Sequence, residues 1–177
     1  MKFRKKLDGV YVIKPLPKKD KRGFFQRLYC KKIFAQKKID NNIVQINNSF
    51  SKFKGTTRGL HYQTGRAAEA KIIRCVKGSI INIIVDMRKN SKNYLKHTKI
   101  KLTHKNRMMS YIPRGFANGL QTLENNTEII YFTSNFYNPK FEKGLNILDP
   151  KLKIKLPLKI SVISKKDKGW KFLWKKF

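Results

Sequence analysis

The stretch AKIIRCVKGSIINIIVDMR, Ala70–Arg88, sets two β-branched runs on either side of Val76-Lys77-Gly78-Ser79. Gly78 supplies the positive φ of a tight reversal, so the stretch predicts a β-hairpin. Outward from it, the strand period recurs. His97–Thr103 alternates Ile100 and Leu102 with Lys99 and Lys101. Met108–Thr122 reads as a strand, a Pro-Arg-Gly turn and a second strand, and Thr127–Tyr137 is again β-branched and aromatic. Lys151–Ile160 alternates too, with Pro157 marking an edge or extended cover strand. Upstream, Val10–Leu16 is a short apolar opening, and Asp20–Tyr29 turns at Lys21–Gly23 before its aromatics. Cys30–Asp40 is the one short helix expected. Asn42–Phe50 places Gln45 and Asn47 on one face, opposite Val44 and Ile46. Many short strands between Gly and Pro turns predict a mainly β sandwich or jelly-roll barrel. No break in composition divides the chain, so residues 1–177 are expected to form one domain.

The chain has 177 residues, enough for a sizeable core. It carries 42 Lys+Arg against 10 Asp+Glu, a net charge of +32, yet 40% hydrophobic and 12% aromatic content exclude a disordered basic tail. Lys outnumbers Arg 33 to 9 and is spread along the whole chain. Designed phosphate and base recognition favours Arg. Together with 19 Ile and 14 Asn, this points to the amino-acid bias of an AT-rich genome rather than to specific nucleic-acid binding. The positive field still steers small anions inward. Gly169–Phe177, GWKFLWKKF, is the best local support for a polyanion site, but it reads better as a tail packing Trp170 and Trp174 on the barrel. Ile80–Val85, broken by Asn82, is too short to span a membrane. The opening residues lack the apolar core of a secretory leader. Cys30 and Cys75, far apart, read as reduced thiols, and the expected location is the cytoplasm.

Three histidines are available for chemistry. His97 and His104 sit among lysines and read as solvated loop residues. His61, in TTRGLHYQ (Thr56–Gln63), shares a strand face with Gly59 and Gln63. Its residues alone leave open whether it is structural or catalytic. By the same measure Asp167 is a loop acid among lysines, Tyr131 a core aromatic and Lys71 one lysine among 33.

An ordered set of motifs adds to this reading. DKRGFF, TTRGLHYQ, AEAKIIRCVKGSIINIIVDMRKNS, YIPRGFANGLQTLENNTEIIYFTSNFYNP and LDPKLKIKLPL…ISKKD follow one another from Asp20 to Asp167, within a resemblance that runs from about Val10 to Asp167. Together they closely resemble the dTDP-4-dehydrorhamnose 3,5-epimerases, cupin-type jelly-roll enzymes of sugar-nucleotide metabolism. The resemblance implies inversion at C3 and C5 of a nucleoside-diphosphate 4-keto-6-deoxyhexose, where the C4 ketone acidifies the neighbouring carbons. It implies His61 as base, Asp167 as its orienting carboxylate, Tyr131 as proton donor on the opposite face and Lys71 near the C4 oxygen. By the same resemblance Arg58 contacts the diphosphate and Lys166 stands where an arginine is usual. Gln45 and Asn47 lie near the base and the substrate, and Tyr137 lies near the nucleotide. Arg22 and Gln26 would reach the neighbouring subunit's site, in a homodimer with exchanged N-terminal strands.

The chain also departs from that family. PRGFANGL puts Asn118 where a second histidine is usual, Gln26 replaces a Glu, Glu69 replaces a Gln, and SKKD replaces SDRD. Asn118 keeps hydrogen bonding but cannot titrate near neutral pH. An epimerase inverting one centre, or acting on another sugar nucleotide, is therefore an alternative, as is a non-catalytic basic cupin that binds polyanions. His61 and Asn118 cannot assemble the three or four ligands of a cupin metal, so no metal is expected. No dinucleotide or P-loop fingerprint occurs, and no cofactor is expected.

Overall fold

The computed structural model describes residues 1–40 and 42–173, so Trp174 lies outside the described residues. In chain order the strands are β1 Lys2–Lys5, β2 Tyr11–Lys14, β3 Lys18–Asp20, β4 Gly23–Phe25, β5 Gln45–Ser51, β6 Thr56–Gln63, β7 Lys71–Lys77, β8 Ser79–Asp86, β9 His97–Thr103, β10 Met109–Ile112, β11 Phe116–Thr122, β12 Thr127–Thr133, β13 Glu142–Gly144 and β14 Val162–Ile163. The expected short helix is α1, Lys31–Gln36, and a second one-turn helix, α2, spans Lys165–Lys168. One sheet runs β1-β2-β10-β7-β12-β5 and the other β13-β6-β11-β8-β9, with β14 added parallel to β6. β3 and β4 form a separate hairpin around the expected turn. The architecture is a mainly β, cupin-type jelly roll.

Ala70–Arg88 is not a hairpin. β7 lies between β10 and β12 in the first sheet, and β8 lies between β11 and β9 in the second. Both faces of each run are apolar, so each strand sits centrally in a sheet covered on both sides. Ile73 and Cys75 of β7 face inward and Ile72 faces outward, all nearly or fully inaccessible. Gly78 is the corner at which the chain changes sheet, at φ +72°. A Cβ there would fall 2.5 Å from Thr127 Oγ1, so the corner packs too closely for any side chain.

Lys151–Ile160 forms no strand. Pro157 offers no N–H, and the chain is clasped instead by a side chain. Gln121 Oε1 accepts from the Leu158 N–H at 3.1 Å, and its Nε2 donates to the Leu158 carbonyl at 3.0 Å. Ile154, Leu156 and Ile160 still cover the outer face of the second sheet, over Leu60, Ile83, Val85 and Ala117. His97 opens β9 rather than lying on a solvated loop, and burial lowers its pKa.

Apolar side chains from both sheets, among them Ile73, Ile84, Leu102, Ile112 and Leu120, fill one part of the barrel interior. Phe34 of α1 covers the outer face of the first sheet, against Ile13, Ile72 and Tyr111. The inward face of β5 carries Gln45, Asn47 and Ser49, so the interior on that side is polar and becomes a cavity.

Candidate active site

The cavity has two lobes, of about 450 Å³ and 340 Å³, which share His61, Lys71 and Tyr131 in their walls. Its geometry starts from an irregularity in β6. Asn118 of β11 pairs with His61, but Leu120 pairs with Arg58, so Gly59 and Leu60 together oppose Gly119. This bulge re-aims the strand. Strict alternation would put Arg58 and His61 on opposite faces; here both line the larger lobe. Leu60 turns outward and is fully buried in the outer core.

Behind His61 stands Asp167. β14 lies alongside Thr56 and Thr57 and delivers the next residues to the bulge. Ser164 caps α2, its hydroxyl accepting from the Asp167 N–H at 3.0 Å. The Asp167 carboxylate is then held twice: Oδ1 meets His61 Nε2, and Oδ2 accepts the Gly59 N–H at 3.0 Å. Asp167 is 4% exposed, not the solvated loop acid that its lysine neighbours suggest. Burial acts to raise its pKa, but the imidazole and the Gly59 N–H outweigh burial, so the carboxyl lies below its ordinary value. Trp170 packs edge-on to the imidazole, ring centres 6.4 Å apart, and seats where Gly144 has no side chain.

Tyr131 comes from β12 in the other sheet and lines both lobes. Burial raises its pKa first; a nearby Glu69 charge adds to this and Arg58 opposes it. Lys71 opens β7 and pairs with Glu69 at 2.9 Å. Arg58 reaches across the mouth, donating to the Phe50 carbonyl at 2.9 Å and to Ser51 Oγ at 3.2 Å. Gln45 and Asn47 bond to each other at 2.9 Å on the wall of the smaller lobe. Tyr137 and Lys166 share one acceptor, Glu142, at 2.7 Å and 2.5 Å.

Asn118 lines the larger lobe and donates into the barrel, to Asn82 Oδ1 and to the Ile83 carbonyl at 3.3 Å. Asn82 in turn donates to Ser110 at 2.7 Å, both fully inaccessible. An uncharged polar chain thus crosses between the sheets below the cavity.

The profile of the family described as dTDP-4-dehydrorhamnose 3,5-epimerase matches residues 4–175. The chain belongs to this family. It is 35% identical over 168 residues to the dTDP-4-dehydrorhamnose 3,5-epimerase of Methanothermobacter thermautotrophicus, covering 93% of this chain and 90% of that one. The crystal structure of the Elizabethkingia anophelis 3,5-epimerase superposes with a TM-score of 0.93 at 33% identity, covering 98% of this chain and 96% of the other. The Legionella pneumophila dTDP-6-deoxy-D-glucose-3,5-epimerase, solved with dTDP-4-keto-L-rhamnose, gives 0.91 at 31% identity, over 97% and 92% of the two chains.

Ten of the twelve residues expected at an epimerase site line the two lobes: His61, Tyr131, Asp167, Lys71, Arg58, Gln45, Asn47, Asn118, Tyr137 and Lys166. Arg22 and Gln26 do not. Arg22 pairs with Asp20 at 2.8 Å on the exposed β3–β4 hairpin, and the buried Gln26 amide has no hydrogen-bond partner. Ser164 and Glu142 are absent from the sequence reading, and Glu69 enters it only as a departure from the family's usual Gln. Ser164 was detectable, because Ser-Lys-Lys-Asp is a helix-capping pattern. Glu142 carried no local signal of a role in the cavity. Among the described residues, no group of three or more His, Cys, Asp or Glu is placed to hold a metal ion. No helix among them is long and apolar enough to cross a membrane.

Proposed function

We infer that this chain epimerises C3 and C5 of dTDP-4-dehydro-6-deoxy-D-glucose, giving dTDP-4-dehydro-L-rhamnose. One observation carries the reading: His61 and Tyr131 enter one cavity from opposite sheets, with a buried carboxylate behind the histidine. Inverting a carbon needs a base on one face and an acid on the other. Asp167 engages Nε2, so Nδ1 is the nitrogen that takes the proton from carbon. The anionic Asp167 then stabilises the imidazolium. Charge develops on the C4 oxygen as the enolate forms, and the Lys71 ammonium meets it. Tyr131, a protonated phenol whose pKa burial raises further, returns a proton from the other face. The proton on His61 leaves to solvent, and the tyrosinate is reprotonated from solvent. Arg58 and Lys166 serve the diphosphate, while Tyr137, Gln45 and Asn47 serve the nucleotide. Asn118, held by Asn82, adds a neutral contact to the sugar.

Proton NMR of this substrate with the protein in D2O tests the reading. Both the C3 and the C5 signals are expected to disappear. Loss of one signal alone would establish a single-centre epimerase, the alternative raised by Asn118 together with Gln26, Glu69 and the SKKD ending. Retention of both in folded protein would overturn the assignment.

The working unit in this reading is a homodimer. β5 is an edge strand whose outer side exposes Ile46 and Phe50, and the β3–β4 hairpin exposes Phe24 and Phe25. Apolar edges of this kind call for a partner. Exchange of the N-terminal strands would bury them and carry Arg22 and Gln26 to the other chain's cavity. Sedimentation equilibrium is expected to give twice the 20.9 kDa chain mass. A fully active monomer would exclude the exchange. Two free cysteines, Cys30 and Cys75, suit work in the reducing cytoplasm.

A further inference from the structure

The cavity holds a negative charge that the reaction does not obviously need. The Glu69 side chain is only 7% exposed, in a site whose proposed ligand is itself an anion. Burying a carboxylate is costly unless it is paired and hydrogen-bonded. Here Oε1 lies 2.9 Å from Lys71 Nζ, and Oε2 accepts from Gln63 Nε2 at 3.0 Å. Gln63 is itself clamped. Its two Nε2 hydrogens are shared among Glu69 and the Ala67 and Phe136 carbonyls, the carbonyls at 3.1 Å each, and its Oε1 accepts the Asn138 N–H at 2.6 Å. Glu69 therefore sits in a rigid cradle with both oxygens occupied. A buried ion pair of this kind is a poor stability device, because desolvation offsets most of its attraction.

We propose that Glu69 is a positioning residue of this site, which aims the Lys71 ammonium into the cavity and provides the fixed negative charge beside Tyr131. One ammonium hydrogen is committed to Glu69, leaving two for a ligand oxygen. The charges facing Tyr131 can be enumerated. β6 contributes Arg58 and His61, and the start of β7 contributes Lys71 and Glu69. Asp167 and Lys166 stand across the larger lobe, and Glu142 and Tyr137 close the smaller one. β5 offers only neutral Gln45, Asn47 and Ser49. Of these groups, Glu69 acts to keep the phenol protonated and Arg58 acts against it. The roles of Lys71 and Tyr131 rest on the epimerase reading, whereas the charge coupling between Glu69 and Tyr131 does not.

Two variants separate charge from contact. Glu69→Gln removes the charge; Glu69→Asp keeps it but shortens the reach to Lys71. The first readout is an ultraviolet difference titration of the phenol, obtained by subtracting the same titration of Tyr131→Phe. Loss of the Glu69 charge lowers the pKa of the phenol, so in Glu69→Gln the phenol is expected to ionise at lower pH than in the native chain. In Glu69→Asp it is expected to stay near the native value. The second readout is kinetic. Glu69→Gln, which restores the residue usual in the family, is expected to move the alkaline fall of kcat to lower pH with little change in KM. Glu69→Asp is expected to lower kcat without moving that fall. An unmoved phenol titration in Glu69→Gln overturns the proposal, and so does a moved titration with an unmoved alkaline fall of kcat. A moved titration in a chain that epimerises nothing upholds the charge placement and removes the substrate reading instead.

Discussion

Alanine at position 61 is expected to abolish deuterium incorporation at both C3 and C5, with a loss of about 10³-fold or more, within the range typical of a removed general base. The expectation follows from the geometry behind the ring. Asp167 is 4% exposed, bonded to Nε2 and to the Gly59 N–H, and its pKa is lowered. The contact of Asp167 with Nε2 fixes which nitrogen faces the cavity. The measurement is NMR exchange in D2O, with thermal unfolding alongside to show that the variant is folded. The two substrate protons are read separately, because one histidine is assigned to both centres. Retained exchange at either carbon would give that centre a different base. The variant also leaves Asp167 a buried carboxylate without its imidazole, so some loss of stability accompanies the loss of exchange.

Gly59→Ala carries the second large effect, and it acts on both fold and site. Gly59 has φ +83°, a region unfavourable for any other residue. A Cβ there would lie 2.5 Å from the Asn118 carbonyl oxygen and 2.9 Å from Gly119 Cα. Both are backbone atoms of the neighbouring strand and cannot move without opening the bulge. The expected cost is about 2–4 kcal/mol, the size seen when strain and overpacking combine. For a chain of this length that is a melting temperature lower by roughly 10 °C. Activity falls as well, since the Gly59 N–H holds Asp167 and the bulge brings Arg58 and His61 to one face. Gly23→Ala is the comparison for strain without a clash inside this chain: its φ is +128°, but no atom of the chain lies within 4 Å of the added carbon. It is expected to cost about 1–2 kcal/mol of backbone strain. Equal melting points for the two variants would mean that β6 and β11 yield to the added carbon.

Much of the strand content was legible in the residues, because inward and outward alternation is written locally. Ile100 and Leu102 against Lys99 and Lys101 mark β9, and alternation alone puts Gln45 and Asn47 on one wall. Phe34 and its neighbours marked the short helix α1. The motif set marked His61, Lys71, Tyr131 and Asp167, and all four line one cavity. Sheet membership was not legible. Ala70–Arg88 has the spacing of a hairpin, yet β7 and β8 belong to different sheets, because each strand has two apolar faces and both must be covered. The alternating Lys151–Ile160 stretch lacks a strand partner for a similarly remote reason: a buried glutamine 37 residues away, Gln121, takes the bonds of Leu158.

The site divides in the same way. Residue types and their order picked out side chains that meet in one cavity. Tertiary structure alone decided that Arg58 shares a face with His61, since a bulge is a mismatch between two strands and neither strand records it. It likewise buried Asp167 among lysines, by pairing β14 with β6 and capping α2 with Ser164. It also turned Glu69, one acid among ten, into the partner of Lys71. Periodicity is a property of neighbouring residues and can be read along the chain. Register, burial and charge pairing depend on residues brought together from distant positions, and these exist only once the two sheets have closed on each other.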